Sequence, residues 1–387
     1  MAQQQSQASA QQINAYNSGR VLNEAIPVIQ KIGSFTQSQY PYSAGVATVI
    51  NCPVLNVGLI RRFWVKVTAN IQQGAAETQT LVNMGPANFL SQILLNDLNN
   101  LVRVNSCGWH LSMLSTVRRQ LAFGAAFTSD SPFGYGSNYN IVKAPASVTA
   151  AANMYTYYEV PVSYGDTDTR GAIFANVVNA SMNLQLTINP NLFQTVTGDA
   201  AQSVYQSSSA QLGKINSYTI DVYQEYWDQL PRNADGSFAI PAIDIATQYN
   251  LLNTTLTGLA VGSDFNMPYA NFRSYMSTFA LYDNGGTLNA GTDINYFSLS
   301  TANSMNIFKY DPFVAQLLNS RNMINDDMPK GLYYFSHRAR PLTTLAFGNM
   351  SLNMNPSLVN ANAQVVVGYE FFAFANQLQQ ASSINSN

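Results

Sequence analysis

A period of two constrains this chain more than any other feature. Phe63, Val65, Val67 and Ala69 alternate with Arg62, Lys66, Thr68 and Asn70, with Trp64 as an exception on the polar side. Leu184, Leu186 and Ile188 alternate with Asn183, Gln185, Thr187 and Asn189. Tyr218, Ile220 and Val222 do the same, and so do Met350, Leu352 and Met354 among Asn349, Ser351, Asn353 and Asn355. Side chains alternate across a strand, so each stretch offers one face to a core and one to water. That pattern belongs to antiparallel sheets; strands of parallel βαβ sheets read as near-continuous apolar runs. No sustained 3.6-residue period lies between the strands, which argues against a doubly wound α/β chain. The expectation is an all-β protein.

One stretch divides the chain. Ser217 to Pro231 begins as a strand and stops at a proline; a polar turn, Arg232 to Ser237, follows, and a new apolar run opens at Phe238. The chain ends on a similar strand. Val366-Val367-Gly368-Tyr369-Glu370-Phe371-Phe372 echoes Val222-Tyr223-Gln224-Glu225-Tyr226-Trp227, with Glu370 matching Glu225. At 387 residues there is room for two cores. The division expected is an arm or helix at 1–32, a first roll at 33–231, a linker at 232–237, a second roll at 238–376 and a tail at 377–387. Strands with one polar face, paired cores and long loops fit two sandwiches or jelly rolls in tandem.

Charge is scarce: 10% of residues, against about 25% in ordinary soluble domains. Asn, Gln, Ser and Thr take its place. A surface with few charges costs little to desolvate and favours extensive protein contact; a stable secreted monomer is the alternative reading. The net charge is −2, with no basic block. Direct sequence-specific nucleic-acid binding, which needs phosphate-neutralising Lys and Arg gathered on one face, is therefore not expected. No run of 18 apolar residues exists to span a membrane. Met1 to Gln5 lacks the basic and apolar regions of a signal peptide. Cys52 and Cys107 stand outside any metal-ligand spacing; they read as a reduced pair rather than a disulfide.

Local readings follow from the same chemistry. Residues 1–32, rich in Gln, Ala and Asn, permit either a helix docked on a surface or a frayed arm. Asn88 to Leu98 fits a short helix or a buried strand. Pro312 to Asn322 fits a short helix with Asp311 as N-cap. Stretches 120–150 and 282–310 read as long loops, the second opening at Asp283-Asn284-Gly285-Gly286.

Catalytic constellations are missing. There is no G-x-S-x-G elbow, H-E-x-x-H or P-loop, and no cofactor is implied. His110, beside Trp109, reads as a structural histidine. His337 sits next to Arg338, with Arg340 close by, and these charges disfavour its protonation. Asp166 and Asp168 would share one side of an extended segment, and Asp326 and Asp327 would not; neither pair has the acidic surroundings of a calcium site. A carboxylate pair on a sandwich keeps one alternative open, a carbohydrate-binding or glycoside-hydrolysing β-sandwich protein.

A series of short segments carries a more specific likeness. In order they are Arg62 to Ala69, Gly85-Pro86-Ala87-Asn88, Gly108-Trp109-His110-Leu111, Asp130-Ser131-Pro132, Gly171 to Val177 and Asp228-Gln229-Leu230-Pro231. Asp283 to Gly286, Gly291 to Tyr296, Pro329-Lys330-Gly331 and Gly368-Tyr369-Glu370 complete it. Together they resemble the major capsid proteins of tectiviruses, tailless phages with a membrane inside an icosahedral shell. The likeness runs from about residue 26 to 375 and is poor at 1–25 and 190–214. It implies two eight-stranded jelly rolls with an N-terminal helix and long surface loops, and a homotrimer that presents six rolls as a near-hexagonal tile. It implies contacts with neighbouring trimers, with minor capsid and vertex proteins, and with the internal viral membrane through the N-terminal arm. The location implied is the virion capsid, after synthesis in the host bacterial cytoplasm. Arg20 and Lys31 are the basic residues available there for anionic lipid.

Overall fold

The computed structural model describes residues 27–374 except 73, 75–77, 83, 120–146, 166–167, 177–180, 195–201, 208–212, 229, 231–233, 236–245, 289–290, 302–305, 321–328, 340 and 345–348. Four sheets contain the strands. The first holds β1 (Val28–Thr36), β13 (Lys214–Trp227), β3 (Leu59–Gln72) and β8 (Ala152–Pro161) in that order, with β9 (Ile173–Phe174) on β3. The second, nine-stranded, runs β19 (Leu332–Ser336), β16 (Arg273–Asp283), β22 (Gln364–Phe374), β14 (Thr247–Leu256), β6 (Val102–Ser106), β5 (Leu90–Asn96), β10 (Asn183–Ile188), β2 (Thr48–Pro53); β20 (Leu342–Thr343) pairs with β16. Two four-stranded sheets complete the set. One is β11 (Phe193–Gln194), β12 (Tyr205–Ser207), β4 (Gln79–Leu81), β7 (Ser147–Val148) and the other β15 (Phe265–Tyr269), β21 (Met350–Pro356), β17 (Ile294–Thr301), β18 (Asn306–Tyr310).

Alternation does what the sequence suggests. On β3, Phe63, Val65, Val67 and Ala69 are buried against Ile50, Cys52, Leu184, Leu186, Ile93 and Leu95 of the facing sheet, and this layer is the first core. The second core lies between β22, β16 and β15–β21–β17, where Val365, Val367, Tyr369 and Phe371 meet Met267, Phe297, Leu352 and Met354. β22 is buried on both sides, because Val366 and Phe372 turn away from that core and join the first one. A strand sandwiched in this way reads as a continuous apolar run.

The two rolls share a sheet. β14 of the second pairs in parallel with β6 of the first, Leu251 opposite Val104 and Leu252 opposite Asn105. Most of the linker at 232–237 lies outside the described residues. Among the described residues, this pairing is the backbone link between the rolls, and side-chain contacts around it add to the junction.

Several expectations change. Val28 to Lys31 belong to β1, paired with Tyr223 to Tyr226 of β13, so the first sheet begins inside the stretch assigned to the arm; residues 1–26 lie outside the described residues. Asn88 and Phe89 close a 3₁₀ turn (Gly85–Phe89), and the rest of the ambiguous segment is strand β5. The supposed loop at 282–310 contains β17 and β18, which pair with each other and with β21. The other long loop falls almost wholly outside the described residues.

Two helices stand among the described residues. α2 (Pro312–Ser320) is the expected one, and the Asp311 carboxylate accepts from the Val314 amide at 2.9 Å as an N-cap should. α1 (Gly108–Arg119) was not expected. Every residue from Gly108 to Val117 is buried, so no apolar stripe marks it in sequence. The helix can lie so deep because glycines let neighbours approach. A Cβ at Gly108 would stand 2.1 Å from the Ala87 carbonyl oxygen, and one at Gly368 would stand 2.5 Å from the His110 ring.

Candidate functional site: the ionic seam between the rolls

α1 lies between the first roll and the outer face of β22 and β16. His110 projects onto Gly368 and stands edge-on to Phe279, with centroids 5.5 Å apart. Its Nδ1 is 2.8 Å from the Ser106 hydroxyl. Burial holds its pKa down to about 4, with Arg118 adding to the effect and Glu370 opposing it. The ring is therefore a neutral core group, as its aromatic neighbours suggested. His337 is also lowered to about 4, but burial is the cause; the arginine repulsion expected from sequence is not what shifts it.

A chain with few charges places a cluster of them here. Glu370, fully buried on β22, accepts from Arg118 at 2.7 Å and Tyr249 at 3.1 Å on one oxygen, and from Ser277 and from Arg338 at 3.3 Å on the other. Burial alone would raise this carboxyl; Arg118 and Arg338 outweigh it, with help from the Ser277 hydroxyl, and hold it down to about 2. Arg118 is raised in turn: burial opposes its charge, and Tyr249 and Glu370 overcome that. Glu225, the matching residue on β13, is equally occupied. Arg61 lies 2.9 Å from one oxygen, and Arg62 at 3.5 Å and the Trp64 indole at 2.7 Å address the other. That hydrogen bond explains why a tryptophan stands on the polar side of β3. Glu159 on β8 pairs with Arg62 and accepts from Ser115 of α1 at 3.1 Å.

So the echo between Glu225 and Glu370 has a physical content. Each strand carries one buried carboxylate that anchors two arginines, and the two sets meet across α1. Arg62, Arg118, Glu159, Ser163, Tyr164, Gly165 and Arg338 line a cavity of about 240 Å³, partly open to solvent. In sequence the glutamates were visible as a matched pair; their partners were not, because Arg118 stands 252 positions from Glu370.

The other candidates fall elsewhere. Asp168 is held by Arg170, whose Nε lies 3.0 Å from each carboxylate oxygen, and Asp166, Asp326 and Asp327 lie outside the described residues. Arg20 also lies outside them. Lys31 sits on β1 with its ammonium 2.7 Å from Asp221. Cys52 and Cys107 are free thiols, and burial pushes both up to about 12. The Asp283–Gly286 segment builds a turn: Asp283 accepts from the Gly286 amide at 2.6 Å, and Asn284 donates to Asp293 at 2.7 Å, joining two of the segments that carried the family likeness.

Residues 1–230 match the family described as P3 major capsid protein N-terminal, and residues 246–386 match P3 major capsid protein C-terminal. Major capsid protein P3 of Enterobacteria phage PRD1 is 38% identical over 373 residues, spanning 95% of this chain and 92% of that one. The chain belongs to the P3 major capsid protein family. Solved structures agree on the fold. A chain from the atomic structure of Sulfolobus Turreted Icosahedral Virus superposes with a TM-score of 0.63 at 14% identity, covering 92% of this chain and 93% of that one. The Faustovirus major capsid protein gives 0.51 at 8% identity, with 90% of each chain covered. The fold is a double jelly roll, and the P3 family member described here is a structural coat protein that assembles with other capsid subunits. It is not an enzyme, which removes the carbohydrate-hydrolysing alternative.

Proposed function

We propose that three copies of this chain form a trimer whose six rolls make a near-hexagonal tile, and that these tiles cover an icosahedral shell around an internal membrane. The carrying observation is the nine-stranded sheet that crosses from one roll to the other. Two rolls fixed side by side give each subunit two similar flanks, and a three-fold axis then repeats those flanks six times. Uncovered apolar surface supports subunit contact. On α2, Phe313 is 71% exposed and Leu317, one turn on, 52% exposed, with Ile307 nearby on β18 at 48%. The scarcity of charge fits the same reading, since lattice faces meet without stranding ions.

The N-terminal arm takes the membrane side in this proposal. Arg20 is the basic residue we assign to anionic headgroups; Lys31, on the first sheet, joins it only by leaving Asp221. Minor capsid and vertex proteins are the remaining partners, and the chain is made in the cytoplasm of a bacterial host. Light scattering on purified protein tests the core of the proposal. A trimer has a mass of about 127 kDa, three times the 42.3 kDa chain, and a stable monomer at coat-protein concentrations overturns it.

A further inference from the structure

His110 is one of two histidines in the chain, and its surroundings are built for the uncharged ring. The side chain is fully buried. Nδ1 meets the Ser106 hydroxyl, which can donate to a neutral ring or accept from a charged one. Nε2 is buried with no hydrogen-bond partner among the described residues. A charged imidazole donates from both nitrogens, so protonation leaves one N–H without an acceptor. The ring is also wedged in place, with Gly368 of β22 pressed against it and Phe279 of β16 edge-on. It lies in the first turn of α1, where the helix dipole opposes positive charge. Of the groups around it, only Glu370 on β22 favours a proton there, and both of its oxygens are engaged by Arg118, Tyr249, Ser277 and Arg338. Arg118, further along α1, opposes the charge. Cys107 at the head of α1, Tyr249 on β14 and Tyr334, packed on Phe279 from β19, are all shifted up by burial and stay neutral in acid.

We propose that His110 is an acid-sensitive catch: a proton taken up on its ring drives α1 off β22 and β16 and loosens the junction between the rolls. Once α1 is off, the ring is hydrated and takes a proton with its ordinary pKa of 6.5, against about 4 in the docked form. The docked value is the lower one, so detachment takes up a proton. Detachment therefore becomes easier as pH falls below 6.5, and the effect levels off below 4. The opening constant of α1 rises about 30-fold between pH 8 and 5, and about 150-fold by pH 4. Above pH 7 the catch is shut, because the ring is neutral in both arrangements.

The test uses the full chain in its native oligomeric state. Hydrogen exchange of the amides at 108–119 is followed from pH 8 to 5 and corrected for the intrinsic pH dependence of exchange. His337, which packs against Tyr269 of the second core and is also held at about 4 by burial, titrates in the same window and serves as the control. The expected result is a loss of α1 protection of about 30-fold in the wild type and in His337→Gln, and a flat profile in His110→Gln. Protection that does not change with pH in the wild type, or that falls equally in His110→Gln, overturns the proposal. Should His110→Gln fail to fold, His337→Gln decides, since His110 is then the one imidazole left. Its ¹³C-labelled ring, read by NMR at pH 5, should be neutral wherever α1 is still protected; an imidazolium there refutes the catch.

Discussion

Glu370→Gln is the substitution that most directly probes what holds the two rolls together. Glutamine keeps the shape of the side chain, so no cavity opens, and it removes the charge that two guanidiniums share. The carboxyl is fully buried and is held at about 2 against an ordinary 4.5. At 1.36 kcal/mol per pH unit this displacement corresponds to about 3 kcal/mol of stability. Deleting one partner of a buried ion pair costs about 3–5 kcal/mol on general grounds, so the two routes agree. The direction with pH follows from the depressed value. The contribution is complete above pH 4.5, where the unfolded carboxyl is also ionised, and drains away as pH falls from 4.5 through 2. Urea unfolding followed by tryptophan fluorescence, at fixed protein concentration, measures both quantities. The variant should lose about 3 kcal/mol at pH 7 and should fall less steeply than wild type between pH 4.5 and 3. A loss below about 1 kcal/mol at pH 7, or superimposable pH dependences, would refute the account of the seam.

Two further substitutions test neighbouring parts of the argument. Trp227→Ala removes a side chain that is 2% exposed, packed with Leu59 and Ala172 beneath the Arg61 guanidinium; it should cost about 3–5 kcal/mol in the same unfolding assay, and a loss under about 1 would place the residue outside the core. Gly368→Ala drives a methyl into the His110 ring and should cost about 1–3 kcal/mol, with a near-neutral result showing that α1 is free to move off β22.

How much of this was legible in advance depends on which side of each element meets water. β3, β10 and β13 alternate because one face is wetter than the other, and their residues in the first core could be read directly from the letters. α1 could not, since burial from Gly108 to Val117 erases the contrast between faces. β17 and β18 were hidden behind glycines and asparagines that mark a turn at 283–286, after which the chain pairs again. In the seam the sequence exposed the two glutamates, unusual as charges inside apolar strands. It could not show that Arg118 and Arg338 converge on one of them and Arg61 and Arg62 on the other, because those partners are brought together only by sheet order.

The parallel contact between β6 and β14 also decides how a single subunit responds to bending. Two bodies joined by a strap alone fold along the strap, and any curvature of the surface they build is absorbed there. Where β6 and β14 run side by side, the same load also falls on a short parallel ladder, Leu251 opposite Val104 and Leu252 opposite Asn105, within the nine-stranded sheet. Bending the subunit at the junction must shear that ladder, which favours placing the curvature of a shell at the edges between subunits.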